Sequence, residues 1–254
     1  MKILKNIPAA AKLYGNLRYL NKHKKNIEKY RAEENYEKER EYIRLAEYEW
    51  ANRLLKDFGM DLHIHGEENL PQEGPVVFIG NHQGYADIVA FCAALSKHIQ
   101  FGYVAKNELE KVPLYGAWIK RIRSVLIKRD DPRESLKTIE EGIELINKGF
   151  SMLIFPEGTR SKSAEMADFK RGAFKLATKP GVPIVPVTIM GSWRAIEESG
   201  VVTPTRLDVM VHPAVETAGI DRKAEKQIVA DVEATVRDGL EQLKKIQEEA
   251  NGEN

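Results

Sequence analysis

The sequence has a single cysteine in 254 residues. A disulfide framework within the chain is therefore excluded, and a chain of this length buries enough apolar surface to do without one. Cys92 sits in the apolar stretch from Ile88 to Leu95 without a basic neighbour. It reads as a small buried hydrophobe in a reducing compartment rather than as a nucleophile. No stretch approaches the roughly 18 apolar residues that a membrane span needs, and none reads as a signal peptide with a cleavage site. G-x-S-x-G is absent, which excludes a hydrolase built on an elbow serine. Lysines and arginines number 39 against 38 aspartates and glutamates, a balance that gives no reason to expect nucleic acid as a partner. His63 and His65 share one face of an alternating segment, yet no cysteine or acid nearby completes a zinc set, so no metal is expected.

Two local absences organise the N-terminal part. Residues before Asn26 contain no acid but carry Lys2, Lys5, Lys12, Arg18, Lys22, Lys24 and Lys25, interleaved with Ile3, Leu4, Ile7, Leu13, Tyr14, Leu17 and Leu20. The spacing is helical and amphipathic, as in a segment that lies on an anionic membrane surface. The alternative is a solvated helix packing its apolar stripe on the domain. From Asn26 to Phe58 there is neither proline nor glycine, and charge is dense, as in Glu37-Lys38-Glu39-Arg40-Glu41. One long helix is expected there, with Ile43, Ala46, Trp50, Leu54 and Phe58 docking its C-terminal half on the core.

The rest of the chain reads as strands alternating with helices. The apolar run Val76-Val77-Phe78-Ile79-Gly80 is a buried strand that delivers Asn81-His82-Gln83-Gly84-Tyr85-Ala86-Asp87. Residues i and i+5 of one α-helix point about 140° apart and cannot share a hydrogen bond. His82 therefore belongs in a turn and Asp87 in the first turn of the following helix, from which its carboxylate reaches back to the imidazole. A carboxylate on one ring nitrogen fixes the tautomer and raises the basicity of the other, which suits a general base for a hydroxyl. Taken alone, the spacing is equally well explained by a histidine at a strand end and an acid at a helix start.

A second strand, Ser151 to Phe155, runs into Pro156-Glu157-Gly158-Thr159-Arg160-Ser161. In an open α/β sheet ligands collect beyond the carboxyl ends of the strands, and both motifs stand at such an end. Phe101 to Ala105 leads to Lys106 at the same rim. Val125-Leu126-Ile127 leads to Lys128-Arg129, where an arginine suits bidentate phosphate recognition. Asp131-Pro132 opens a helix to about Asn147. Lys170 and Arg171, near a further helix start, make an anion-friendly corner. Val182 to Ile189 is continuously apolar, and its prolines argue for a strand entrance or an edge position. Arg206 to His212 alternates as another strand, and Asp221 to about Glu249 is an amphipathic helix.

N-H-x-x-x-x-D followed by F-P-E-G-T-R-S resembles the glycerolipid acyltransferases, most closely the 1-acylglycerol-3-phosphate (lysophosphatidate) acyltransferases. The resemblance runs from about His65 to about Pro213, and the stretches Val104 to Leu109, Val125 to Arg129 and Val182 to Val187 match in place. In that family the Val125 segment usually ends Asp-Arg, with a glycine near its start. Here Arg123 and Lys128 stand at those two positions, while Arg129 is retained.

The resemblance implies an α/β fold with a mixed, largely parallel sheet flanked by helices and preceded by an N-terminal two-helix element. It divides the chain into a helical membrane-associating element, 1–58, and an acyltransferase domain, 59–254. It implies His82 and Asp87 as the catalytic pair and Arg129, Glu157, Gly158, Thr159, Arg160 and Lys106 as the acceptor-phosphate site, with Lys170 and Arg171 as additional anion contacts. The implied reaction moves a fatty acyl group from acyl-coenzyme A or acyl-carrier protein, as co-substrate and without a cofactor, to the sn-2 hydroxyl of lysophosphatidate. Phosphatidic acid results, at the cytoplasmic face of a membrane on which the first helix docks peripherally. Three other readings compete: acylation of a different lysophospholipid or of glycerol phosphate, a thioesterase turning the same His/Asp pair on water, and a membrane-bound phosphate-binding protein without activity. The intact acid/base pair and the Pro-Glu-Gly-Thr-Arg turn disfavour the last, and a product assay separates the others.

Overall fold

A computed structural model describes residues 2–128 and 130–252. Three helices open the chain: α1 (Lys2–Tyr19), α2 (Asn21–Ala32) and α3 (Tyr36–Phe58). The single helix expected from Asn26 to Phe58 is thus two. Glu34 takes a left-handed φ of 50°, and the Asn35 side chain caps α3 by accepting the Lys38 N–H at 3.1 Å. An asparagine that can satisfy an orphan amide ends a helix without help from proline or glycine. The N-terminal element therefore has three helical segments rather than two.

The remainder alternates as expected: β1 (Asp61–His65), β2 (Val77–Gly80), α4 (Ala86–Leu95), β3 (Phe101–Lys106), α5 (Tyr115–Arg121), β4 (Val125–Ile127), α6 (Pro132–Asn147), β5 (Ser151–Ile154), α7 (Lys175–Thr178), β6 (Ile184–Met190), β7 (Arg206–Val211) and α8 (Arg222–Gly252). The strands form one sheet in the order β1-β7-β6-β2-β5-β3-β4. From β6 to β4 neighbouring strands run parallel, whereas β7 is antiparallel to β6 and parallel to β1. The carboxyl ends of β2, β5, β3 and β4 consequently share one rim, which places the segments after them side by side.

Alternation along β2 divides the core. Phe78 faces one layer with Phe101 and Leu153, covered by α3 and α4 through Ile43, Ala46, Trp50 and Phe91. Val77 and Ile79 face the other with Met152 and Phe174, covered by α6 to α8 through Ile139, Leu176, Val232 and Val236. Burial on both faces is why these strands read as unbroken apolar runs. Of the two placements expected for a strand with two prolines, the entrance is found at Pro183, and the edge is not, since β6 lies between β7 and β2. Pro183 precedes the strand, and Pro186 falls where antiparallel pairing is interrupted, between the Ile184–Val215 bridge and the ladder that starts at Val187–Val211. The Pro186 carbonyl still accepts the His212 N–H at 3.0 Å, so the proline costs this pair only the reciprocal bond.

Candidate active site

The turn after β2 is built around one carboxylate. Asp87, fully buried at the start of α4, accepts on Oδ2 from the imidazole Nδ1 of His82 at 2.5 Å and from the backbone N–H groups of Gln83 at 2.8 Å and Gly84 at 3.1 Å. Its Oδ1 accepts from the Ser192 hydroxyl. A carboxylate surrounded by donors is an acceptor only, so Nδ1 carries the hydrogen and Nε2 keeps its lone pair. The imidazole is further fixed by stacking on Phe155, with centroids 4.0 Å apart and planes 10° from parallel. Asn81 ties the end of β2 to β6 by bonding both the N–H and the C=O of Ile189, at 2.8 and 2.9 Å. Gln83 accepts the Gly191 N–H at 3.0 Å, so residues 81, 83 and 87 all lean on the end of β6.

The turn after β5 completes the site, and Glu157 has a different task from the one expected of it. It is buried, its Oε1 accepts the His82 N–H at 2.6 Å and its Oε2 accepts the Ala167 N–H at 2.8 Å. A carboxylate committed to two amides, and itself anionic, is a strut between the histidine turn and the 161–168 loop rather than a phosphate ligand. Burial raises its pKa, against the pull of those two amides and of His82. The Gly158 N–H is likewise spent, on the Phe155 carbonyl at 3.1 Å, and does not line the site as a free donor. Gly158 has φ +76°, and a Cβ there would come within 2.7 Å of the Lys170 ammonium, so Lys170 lies over this turn while Thr159 is exposed.

Arg160 lies 3.6 Å over the Tyr85 ring centroid and 2.5 Å from Glu197 Oε1, which brings it to the histidine turn. Lys106 stands exposed at the end of β3, its Nζ 3.0 Å from Glu108. Arg171 instead joins Lys175, Arg222 and Lys226 around a separate cleft. Arg129 lies outside the described residues. His63 and His65 are each 2.8 and 2.9 Å from a different carboxylate, Asp61 and Asp208, and among the described residues no cluster of three or more His, Cys, Asp or Glu is placed to hold a metal ion. Cys92 is buried, its thiol pKa raised by that burial, with Sγ 2.5 Å from the Tyr103 hydroxyl.

Against known proteins, the acyltransferase domain model matches residues 61–190, half of the chain. The chain belongs to the acyltransferase family. Among relatives of this chain is a chloroplastic 1-acyl-sn-glycerol-3-phosphate acyltransferase of Arabidopsis thaliana, 34% identical over 175 residues, covering 68% of this chain and 48% of that one. A 1-acyl-sn-glycerol-3-phosphate acyltransferase of Pseudomonas aeruginosa is 29% identical over 203 residues, covering 78% and 76%. The chain spans about half the length of the plant relatives it matches. In structure the chain superposes on the crystal structure of the 1-acyl-sn-glycerophosphate acyltransferase PlsC from Thermotoga maritima with a TM-score of 0.70 and 28% identity, covering 82% of this chain and 83% of that one.

Four residues of the candidate site escaped sequence reasoning: Tyr85, Ser192, Glu197 and, as a strut, Glu157. Ser192 lies 105 positions from its partner Asp87, and Glu197 lies 37 from Arg160 and 112 from Tyr85, far beyond any local pattern; only Gly191-Ser192 at the end of an apolar strand marks the place. Arg123, at a position where the resemblance implies glycine, has a glycine-like φ of 64°, and its guanidinium binds both oxygens of the buried Glu39 at 2.8 Å.

Proposed function

We propose that this acyltransferase transfers an acyl group from an acyl thioester to the free hydroxyl of a lysophosphatidate. The observation that carries the reading is the His82–Asp87 pair, with Nε2 left as the only basic ring nitrogen, at the same rim as Arg160. In the reaction His82 Nε2 takes the hydroxyl proton as the oxygen attacks the thioester carbonyl. A C–O bond forms, the tetrahedral adduct collapses with cleavage of the C–S bond, and the imidazolium returns its proton to the departing thiolate. Asp87 stays ionised and stabilises the imidazolium. Arg160, Arg129 and Lys106 hold the acceptor phosphate, and Lys170 over the 156–160 turn adds positive charge. The co-substrate is acyl-coenzyme A or acyl-carrier protein, and the chemistry asks for no metal or cofactor. The relatives' names support the acceptor.

The exposed start of α1 docks the enzyme on the membrane that holds its acceptor and product, at the cytoplasmic face. No helix among the described residues is long and apolar enough to cross a membrane. Purified protein incubated with acyl-coenzyme A, with and without lysophosphatidate, tests the reaction. Phosphatidic acid formed with stoichiometric thiol release is the expected result, whereas thiol release independent of acceptor would make the protein a thioesterase. Arg160→Ala should raise the KM for lysophosphatidate about tenfold or more, as loss of one charge-assisted contact does, and leave the donor KM in place.

A further inference from the structure

Arg160 does not wait for its ligand free in solution. Its Nη1 lies 2.5 Å from Glu197 Oε1, and the same oxygen accepts the Tyr85 N–H at 2.9 Å. The guanidinium meanwhile covers the Tyr85 ring. Glu197 is no surface counter-ion: its side chain is 4% exposed, and its second oxygen is buried without a hydrogen-bond partner. It reaches this position because residue 84 is glycine. A Cβ there would lie 2.7 Å from Glu197 Oε2 and 3.0 Å from the Ser192 carbonyl.

The segment that carries Glu197 is itself anchored. The Glu198 N–H bonds the Trp193 carbonyl at 3.1 Å and the Gly200 N–H the Ile196 carbonyl at 2.6 Å. Asn6 of α1 donates to the Gly200 carbonyl at 2.8 Å and accepts the Val202 N–H at 3.0 Å.

We infer that Glu197 is a positioning residue: by gripping both Arg160 and the Tyr85 backbone it fixes the separation between the anchor for the acceptor phosphate and the His82 base. A guanidinium uses one of five N–H donors on this contact and keeps the others for a phosphate. Holding a long side chain in its binding pose beforehand removes an ordering cost from ligand binding. The link through Tyr85, three residues from His82, sets which hydroxyl the phosphate anchor presents to Nε2. The inference rests on the reading of Arg160 as a phosphate ligand.

What Glu197 contributes here is reach rather than charge, which makes the variants informative. Glu197→Gln keeps an oxygen at the same distance for both donors, and its KM for lysophosphatidate should stay within about threefold of wild type. Glu197→Asp keeps the charge but falls short of Arg160, and Glu197→Ala removes the contact. Both should raise that KM about tenfold, with the acyl-coenzyme A KM unmoved. In the Arg160→Ala background Glu197→Ala should add nothing, because it acts through Arg160. A lower lysophosphatidate KM in Glu197→Ala would show a competing anion instead and overturn the inference. So would equal effects with and without Arg160, or a uniform fall in kcat across all three variants. If Arg160→Ala alone leaves the lysophosphatidate KM unchanged, the phosphate reading of Arg160 fails, and that result stands apart from the others.

Discussion

His82 makes its side-chain hydrogen bond to Asp87 and stacks on Phe155, so removing the ring should cost only about 1 kcal/mol of stability. His82→Ala should nevertheless lower turnover on the order of 10²–10⁴-fold, the range of a general base. A folded variant with substantial activity would refute the mechanism. Asp87→Asn should fall on the order of 10⁴-fold, because an amide cannot stabilise the imidazolium and turns a donor toward the amides of Gln83 and Gly84. This pair was legible because it is local: five residues of separation and a strand-turn-helix pattern suffice to bring the groups together. The strut role of Glu157 was not legible, because its partners are the backbone amides of His82 and Ala167, which leave no mark on side-chain chemistry. A second residue titrates outside the site. Glu47 of α3 is wholly buried, one oxygen has no partner, and burial raises its pKa well above the usual carboxyl range. The folded state then holds a proton that the unfolded chain releases at lower pH. Stability is full below the unfolded value and falls as pH rises toward the folded one, at up to about 1.4 kcal/mol per pH unit. Melting curves from pH 5 to pH 9 should show a decline that Glu47→Gln flattens; identical slopes would contradict it.

Among the elements, the link between β3 and β4 shows how one position can be reassigned. Arg123 occupies a left-handed conformation that glycine adopts at no cost, yet it binds both oxygens of Glu39, which also pairs with Arg31 of α2 at 2.7 Å. The guanidinium lies 5.0 Å from the Phe150 ring centroid as well. The substitution exchanges backbone ease for a lock that fastens α2 and α3 to the sheet. Arg123→Ala keeps the strain and loses the lock, so it should destabilise by about 3 kcal/mol, the lower end for breaking a buried pair, since Arg31 remains. Arg123→Gly relieves the strain and should be about 1 kcal/mol less harmful. Urea unfolding midpoints measure both, and equal losses would show that the φ of 64° carries no strain. The sequence displayed the departure from glycine but not its compensation, because Glu39 lies 84 positions away inside a run of charges that reads as solvated. The strand order was similarly half legible. Apolar runs marked each central strand, while the interior place of β6, with Pro186 still bonded through its carbonyl to the His212 N–H, is encoded in no local pattern.

For the whole molecule, the question is which surface meets the lipid. Leu17 is 5% exposed and Leu20 is fully buried, so the rear of α1 packs on the domain, and Leu17 cannot insert as its place in the stripe first suggests. Lys22 pairs with Glu49 at 2.5 Å and Lys12 donates to the Asp57 carbonyl at 2.5 Å, which gives two of the seven bases partners within the protein while leaving them exposed. What remains outward is a stripe of Leu4, Ile7 and Tyr14, with Leu4 69% and Ile7 55% exposed. Asn6, on the same turns, is tied to residues 200 and 202, so the stripe is held against the segment that follows Glu197. Leu4→Ser with Ile7→Ser should therefore weaken binding to anionic vesicles by roughly ten- to a hundredfold, since burying each side chain contributes about 1.5–3 kcal/mol and insertion is partial. Added salt should weaken wild-type binding without abolishing it, because each base near the surface adds about 1 kcal/mol at best. Turnover of lysophosphatidate held in vesicles should fall in step with binding, while turnover of a short-chain, monodisperse lysophosphatidate should not change. A double variant that binds vesicles like wild type would move the docking surface elsewhere. Equal losses on both forms of the acceptor would mean that the first turns of α1 support the active site directly and have no separate role at the membrane.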